Sequence, residues 1–485
     1  MQLTYGIKDR PKFGKNLVFA FQQMIAIMAA TLLVPILVSS VGLKCDPAAA
    51  LFGAGAGSIV YLLFTRFKSP VFLGSSFTFL GALQAAATQN YGYWGLIIGV
   101  TFAGLVYVAI ALVIKFVGAG WIKKLLPHVI IGPVLAIIGL SLSGTAGSWM
   151  MNNGGANYSL WYILVGLVTF VAIVIASVKG KGMVKLIPFI VGIGAGLVFA
   201  IIITLFGYIN DSAFCMNMRI VDFTPIKDCF SPIRFQSFFD YPKFTFLEAI
   251  RTNGTYTLDG AAVGNLAVLF VPIAVVELAQ HISDHENLSN IVEKDLLEDP
   301  GLHNTLFGDG VGSIVGAFFG GCANTTYGES ISCVALSKDA STSTILLTGI
   351  MCMVVSFISP FVAIINMLPK CVMGGACIAM YGFISVSGLQ MLKDVDLSDN
   401  RNLYPAAAIL VIGIGGVVLN FGTNKLTDKP LVQVTSLAVA MIVGILVNLI
   451  THSGKDKVEN GAIQENLPDM KFEGEKAETE ENKAV

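Results

Sequence analysis

Hydrophobic positions along this chain run in long blocks instead of alternating with polar ones. No Asp, Glu, Lys or Arg interrupts residues 17–43, 70–114 or 125–178. A membrane-crossing helix takes roughly 20 apolar residues, so each of the last two blocks must fold back on itself. A helix buried in a soluble core would show a polar face every few residues, and these blocks show none. The windows predict spans near 17–40, 47–64, 71–87, 95–115, 127–143, 159–178, 186–208, 261–284, 309–321, 324–337, 342–367, 371–390, 403–422 and 430–451, fourteen segments in all. Those at 309–321 and 324–337 are too short to cross a bilayer alone.

Composition agrees with this pattern: 55% of residues are hydrophobic and 13% charged, against about 25% charged in soluble domains. Lys8, Arg10, Lys12 and Lys15 precede the first window. Arg66 and Lys68 follow the second, Lys115, Lys123 and Lys124 the fourth, and Lys179, Lys181 and Lys185 the sixth. The stretch 143–159, after the fifth window, has no Lys or Arg. Positive charge concentrates in cytoplasmic loops, so the N-terminus is expected in the cytoplasm, and an even number of spans returns the C-terminus there. The first span is too long for a cleaved signal segment and is expected to remain. Residues 453–485 are polar and rich in Glu and Lys, as in a disordered tail. A net charge of −1 argues against a nucleic-acid partner. The eight cysteines form no CxxC pair, so no metal site is expected. Cys215 and Cys229 share a polar loop, where a disulfide between them is open; Cys322, Cys333, Cys352, Cys371 and Cys377 read as packing residues.

Two windows depart from ordinary helix composition. Leu73-Gly74-Ser75-Ser76-Phe77-Thr78-Phe79 and Ala323-Asn324-Thr325-Thr326-Tyr327-Gly328-Glu329-Ser330 are small, polar and aromatic at membrane depth. A pair of interrupted segments in the two halves of a chain points to a transporter's central site. Acids inside a membrane are costly and are functional candidates. Glu277, Gln280, His281 and Asp284 fall at i, i+3, i+4 and i+7 and share one helix face. Glu277 is either functional or a structural partner of His281, and Asp284 and His285 also fit an interfacial helix end. Glu329 stands at the expected start of a half-helix, where free N–H groups favour a carboxylate. Phe77, Tyr327 and Tyr381 offer rings for stacking. This set suits a planar ligand with alternating N–H and C=O groups, although an amino acid or small carboxylate also fits. No nucleophile–base pair marks an enzyme, and no cofactor is expected.

Several strings carry a family resemblance: Asn290-Ile291-Val292-Glu293-Lys294-Asp295-Leu296-Leu297, Asp299-Pro300-Gly301-Leu302-His303 and Asn324-Thr325-Thr326-Tyr327-Gly328-Glu329. Leu73-Gly74-Ser75-Ser76-Phe77, Val372-Met373-Gly374-Gly375 and Met380-Tyr381-Gly382 support them. The chain resembles the nucleobase–ascorbate transporter family, in particular its bacterial uracil permeases. The resemblance implies an all-α polytopic membrane protein of 14 segments, built as two inverted seven-segment repeats. A cytoplasmic N-terminus (1–16) would precede core-domain segments 1–4 (17–124) and gate-domain segments 5–7 (125–210). An extracellular loop (211–260), core segments 8–11 (261–369), gate segments 12–14 (370–452) and the tail (453–485) would follow. Short β-strands in segments 3 and 10 would cross at the substrate.

The resemblance also implies proton symport of a nucleobase, uracil first, by movement of core against gate in a dimeric cell-membrane protein. Phe77, Gln280, Gly328, Glu329 and Tyr381 would contact the base, and Glu329, Asp284, Glu277 and His281 would serve proton coupling. A xanthine or purine permease, or a passive channel or anion exchanger on the same fold, is the alternative. One departure bears on the chemistry. The family places a Glu where this chain has Gln280, and Gln both donates and accepts but takes up no proton. Glu277, one turn earlier, is a candidate replacement.

Overall fold

Backbone N–H and C=O groups find no water inside a bilayer, so spanning segments must satisfy them internally or against covering protein. The computed structural model describes residues 3–89, 91–118, 121, 127–210, 212–256, 258–423 and 430–452. Its first half comprises α1 (Phe13–Ser39), α2 (Pro47–Phe64), β1 (Leu73–Ser75), α3 (Leu80–Thr88), α4 (Gly92–Val117), α5 (His128–Asn152), α6 (Leu160–Lys179) and α7 (Pro188–Gly207). Its second half comprises α8 (Gly260–Val292), α9 (Leu302–Gly320), β2 (Asn324–Thr326), α10 (Gly328–Ser337), α11 (Thr342–Val355), α12 (Lys370–Met391), α13 (Asn400–Ile414), β3 (Leu419–Thr423), β4 (Pro430–Val434) and α14 (Ser436–Thr451). Among the described residues, α1, α2, α4, α5, α6, α7, α8 and α12 are long and apolar enough to cross a membrane. Side-chain caps fix several helix starts: Asp46 accepts from the Ala48 N–H, Ser159 from Trp161, Asp259 from Ala262 and Asp399 from Arg401.

Several boundaries differ from the expected windows. Helix α5 runs on to Asn152, through much of the stretch read as a loop, because nothing in 143–152 breaks a helix until Asn153 adopts a left-handed cap. Helix α8 continues to Val292, and α9 begins at Leu302, seven residues before its window. The eleventh window is broken after Val355, and Ser359–Met367 forms a separate short helix. A β3–β4 hairpin, absent from the sequence expectation, joins α13 to α14. Cys215 and Cys229 are free thiols, and Cys229 Sγ instead donates to Ser237 O at 3.3 Å, so no disulfide joins them. The expected tail, 453–485, lies outside the described residues.

The helices pack in two sets. Helices α1, α2, α8 and α9 contact the β1–β2 pair, with α4 packed on α8 and α9 and α11 on α1 and α2. The other set is α12 on α5 and α6, α6 on α7, and α13 on α14 and α5. Helix α8 bridges the sets by touching β4, α14 and α5. Small residues permit the closest approaches. On α2, a Cβ at Gly53 would lie 2.6 Å from Gly316 O, and one at Gly57 would lie 2.6 Å from Gly312 O. These two i, i+4 glycine pairs bring the backbones of α2 and α9 into direct contact. Outside the apolar layer, Lys68 and Lys294 hold Asp299 at 2.5 and 2.9 Å, and this double hydrogen bonding lowers its carboxyl to about 2.

Candidate functional site

The two interrupted segments meet. Leu73 pairs with Thr326, Gly74 with Thr325 and Ser75 with Asn324, in an antiparallel ladder between residues about 250 apart in sequence. The ladder extends through Ser76 N–H to Ala323 O at 2.8 Å. Two three-residue strands leave most of their backbone groups unpaired, and side chains from neighbouring helices take up the rest. Ser58 Oγ donates to Leu73 O and accepts from Leu73 N. Ser330 Oγ accepts from Phe72 N and from Gln23 Nε2, and the Tyr327 hydroxyl donates to Ser75 O at 2.7 Å. Ser313 Oγ donates to Asn324 O, while the Asn324 amide donates to Gly53 O at the glycine contact. The strand pair is therefore held at membrane depth by α1, α2, α9 and α10.

The polar stripe on α8 divides across this pair. At about 100° per residue, Glu277 and Asp284 point within about 20° of each other. His281 lies about 40° to one side of Glu277 and Gln280 about 60° to the other. Glu277 is buried, and the hydroxyls of Thr325, Thr78 and Ser76 approach its carboxylate. Neither of its oxygens closes a hydrogen bond, and the Ser75, Ser76 and Thr325 hydroxyls are unpartnered as well. Asp284 accepts from Thr326 Oγ1 at 2.7 Å and lies in the field of Glu277 and Glu329. Glu329 is in the first turn of α10, beside Gly328, where an added Cβ would meet nothing within 4 Å. Gln280 is half-buried, toward the side where Val275, Val276 and Ala279 face Ile130, Ile131 and Val134 of α5 and Met441 of α14. Phe77 follows β1 and meets Tyr381 of α12 edge-on, with ring centroids 6.1 Å apart at 77°. The structure thus brings Phe77, Glu277, Asp284, Gly328, Glu329 and Tyr381 around the strand ends, with Gln280 at the margin.

His281 turns away from them. It is fully buried against α9, with Nδ1 2.7 Å from Asp309 Oδ2 and Nε2 3.1 Å from Thr305 Oγ1. The Thr305 hydroxyl donates to Leu302 O, so it accepts from His281 Nε2–H. One proton therefore lies between His281 Nδ1 and Asp309 Oδ2. His285 is not interfacial: it is fully buried, because α8 continues past it. Its Nδ1–H donates to His281 O at 2.8 Å, and its Nε2 lies 2.7 Å from the Tyr61 hydroxyl. The sequence reading missed Asp309. The rule that singled out Glu277 and Glu329 applies to it equally, since it stands between Gly308 and Gly310 inside an apolar helix. It also missed Tyr107, whose buried, unpartnered hydroxyl faces Glu277 and Asp309. No cluster of metal-ligating side chains occurs among the described residues. A cavity of about 1040 Å³, lined by Asp46, Arg234 and Lys243, lies among the loop residues away from these acids.

Comparison with known proteins places this geometry in a family. The sequence profile of a permease family, Xan_ur_permease, matches residues 14–422. The uracil permease of Bacillus caldolyticus is 37% identical over 465 residues, covering 96% of this chain and 98% of that protein. The uracil permease of Bacillus subtilis (strain 168) is 33% identical, covering 96% and 99%, and that of Escherichia coli (strain K12) is 31% identical, covering 92% and 93%. Among solved structures, the transmembrane domain of the cyanobacterial bicarbonate transporter BicA superposes with a TM-score of 0.58 at 15% identity, covering 92% of this chain and all of that one. Murine Slc26a9, an anion transporter in the inward-facing state, gives 0.56 at 11% identity over 91% of this chain and 69% of that one. Those two likenesses concern the fold. The profile match and the near full-length identities establish that the chain is a transporter-type, polytopic membrane protein belonging to the Xan_ur_permease permease family, the family to which its motifs pointed.

Proposed function

We propose that this chain imports uracil across the cell membrane together with protons. One observation carries the reading: the Glu277 carboxylate is buried where the two strands meet, with neither oxygen hydrogen-bonded. A buried carboxylate whose neighbouring hydroxyls close no hydrogen bond is costly, and the ring N–H groups of a planar imide supply stronger donors. Gln280, next along the same face, donates one hydrogen bond and accepts one, which matches an adjacent C=O and N–H on such a ring. Phe77 and Tyr381 bound the base, and N–H groups at Gly328 and Glu329 face its remaining carbonyl. Glu277 thereby takes the place of the carboxylate that the family carries at position 280. The full-length relatives named uracil permeases support the choice of base.

Asp284 lies in the field of both Glu277 and Glu329. Like charges repel strongly in low dielectric, and a proton taken up with substrate relieves that repulsion. The His281–Asp309 pair stands behind these acids and carries one more proton. Alternating access follows the two helix sets: α1–α4 and α8–α11 move as a core against a gate of α5–α7 and α12–α14. In this reading the chain is two inverted repeats of seven segments with both termini in the cytoplasm, and two copies associate as a dimer.

Uptake of labelled uracil into proteoliposomes under an inward proton gradient tests the proposal. Saturable accumulation that collapses with a protonophore is expected, and Glu277→Gln should lower the initial rate at least about tenfold, the loss of one charge-assisted hydrogen bond. Undiminished uptake by that variant would remove Glu277 from the site. Competition by unlabelled xanthine at lower concentration than uracil would reassign the base. Equilibration without accumulation would mark a channel or exchanger.

A further inference from the structure

We infer that the N-terminal arm, residues 3–9, is a positioning element for the half-helix that carries Gly328 and Glu329; the inference builds on the nucleobase site proposed above. In the arm, Leu3, Tyr5 and Ile7 alternate with Thr4, Gly6 and Lys8, the two-residue period of a strand. The arm uses that period to add itself beside the connection from α10 to α11. Thr4 N–H and Tyr5 N–H donate to Lys338 O at 2.8 and 3.2 Å. Ala340 N–H donates to Tyr5 O at 2.9 Å, Thr342 N–H to Ile7 O at 3.2 Å, and the Ser341 hydroxyl to Asp9 O at 2.6 Å. Tyr5 and Asp339 form a parallel bridge. Such pairing fixes register through main-chain bonds and lets alternate side chains choose the docking site.

Those side chains reach the site's own supports. Leu3 and Ile7 pack on a cluster of Leu73 from β1, Leu288 from α8, and Ile331 and Val334 from α10. The Tyr5 ring stands edge-on to Phe19 of α1, with centroids 6.0 Å apart. The arm therefore joins the apolar cluster to which β1, α8 and α10 each contribute a side chain. The connection it grips is fixed in turn: Lys338 is left-handed at φ 56°, and Asp339 accepts from Ser341 N–H at 2.9 Å and Thr344 Oγ1 at 2.7 Å.

Helix α10 has ten residues, about 15 Å of length, and a helix this short is marginal on its own. Its orientation must come from anchors at its ends. Near the site the anchor is Ser330, held by Gln23 and the Phe72 N–H. At the far end it is the arm. Substrate at the first turn and the arm at the last act on one rigid rod, so each must favour the other by the same factor.

The test uses the full chain, a variant lacking residues 1–9, and the point variants Ile7→Asp and Ile7→Val. Uracil affinity, hydrogen exchange and limited trypsin digestion at the exposed Lys8 are measured on each purified protein that retains it. The deletion and Ile7→Asp should raise the uracil Kd about tenfold and speed exchange in residues 328–337 and 73–75, while Ile7→Val keeps both. In the unmodified chain, saturating uracil should slow cleavage after Lys8 several-fold, and Glu277→Gln, which weakens the base contact, should remove that protection. A uracil Kd and a cleavage rate that ignore each other overturn the inference, and the unmodified chain reports this even where the deletion does not fold. If the full chain binds no uracil, the functional reading fails. Exchange in 328–337 then decides the arm alone, and an unchanged rate in the Ile7→Asp variant overturns it.

Discussion

A buried histidine and a buried acid separate two roles that the sequence merges. Glu277, Gln280, His281 and Asp284 share a helix face, yet His281 is turned far enough to bond Asp309 on α9 instead of facing the strands. The His281–Asp309 pair is fully enclosed, with both side chains at 0% exposure. Removing one partner from such a pair leaves an uncompensated polar group and costs about 3–5 kcal/mol, whereas replacing both by apolar groups costs far less. His281→Leu and Asp309→Leu should therefore each lower thermal stability sharply, and the double variant should recover much of the loss. Additive losses in a thermal-unfolding series would show that the two side chains do not act as a pair. The same measurement separates them from Glu277, whose oxygens close no hydrogen bond in the structure. Glu277→Gln should unfold close to the unmodified chain while its uptake falls.

At the scale of elements, the strand pair depends on how closely α2 and α9 approach. Asn324 of β2 reaches Gly53 O, and Ser313 of α9 reaches Asn324 O, across a contact that only hydrogen at Cα allows. A Cβ at Gly57 would meet both Gly312 O at 2.6 Å and the Asn324 amide at 2.7 Å. Gly57→Val should push α2 from α9, destabilise the protein by about 1–3 kcal/mol in the manner of an overpacked core, and disturb β2 as well. Gly81 in α3 is the control, since a Cβ there meets nothing within 4 Å. Gly81→Ala should be neutral or stabilising by up to about 1 kcal/mol. Equal melting temperatures for the two variants would mean that the α2–α9 contact does not govern stability. The glycines were visible in the sequence as composition only, because nothing local says which helix a glycine will face.

Across the whole molecule, the two helix sets meet along α8. Val275, Val276 and Ala279 of α8 share a small apolar cavity with Ile130, Ile131 and Val134 of α5 and Met441 of α14. A sliding or rocking motion of one set against the other must change that contact. Cysteines introduced together at Val134 and Val276 should cross-link under mild oxidation and stop uptake, and reduction should restore it. Full uptake by the cross-linked protein would place the moving boundary elsewhere. The strand pair and the acids lie on the α8 side of this boundary and Tyr381 on the other, so the Phe77–Tyr381 contact joins the two sets beside the strand pair.

By itself the sequence determined the class of this protein, a polytopic membrane chain of long apolar helices. Bilayer thickness sets the length of an apolar run, and charge in a membrane is costly enough that long charge-free blocks mark its membrane-crossing regions. It also exposed Glu277, Asp284 and Glu329, because an acid in such a block stands out at the level of one residue. The family motifs supplied the expectation that the third and tenth segments cross. Only the tertiary structure decided their register, Leu73 on Thr326, since hydrogen bonds between residues about 250 apart leave no local pattern. It alone decided that His281 serves Asp309 while Glu277 faces the strands, because a helix's rotation is set by what packs against it and not by its own sequence. The docking of the N-terminal arm was equally hidden: a two-residue period announces a strand but cannot name the edge that receives it.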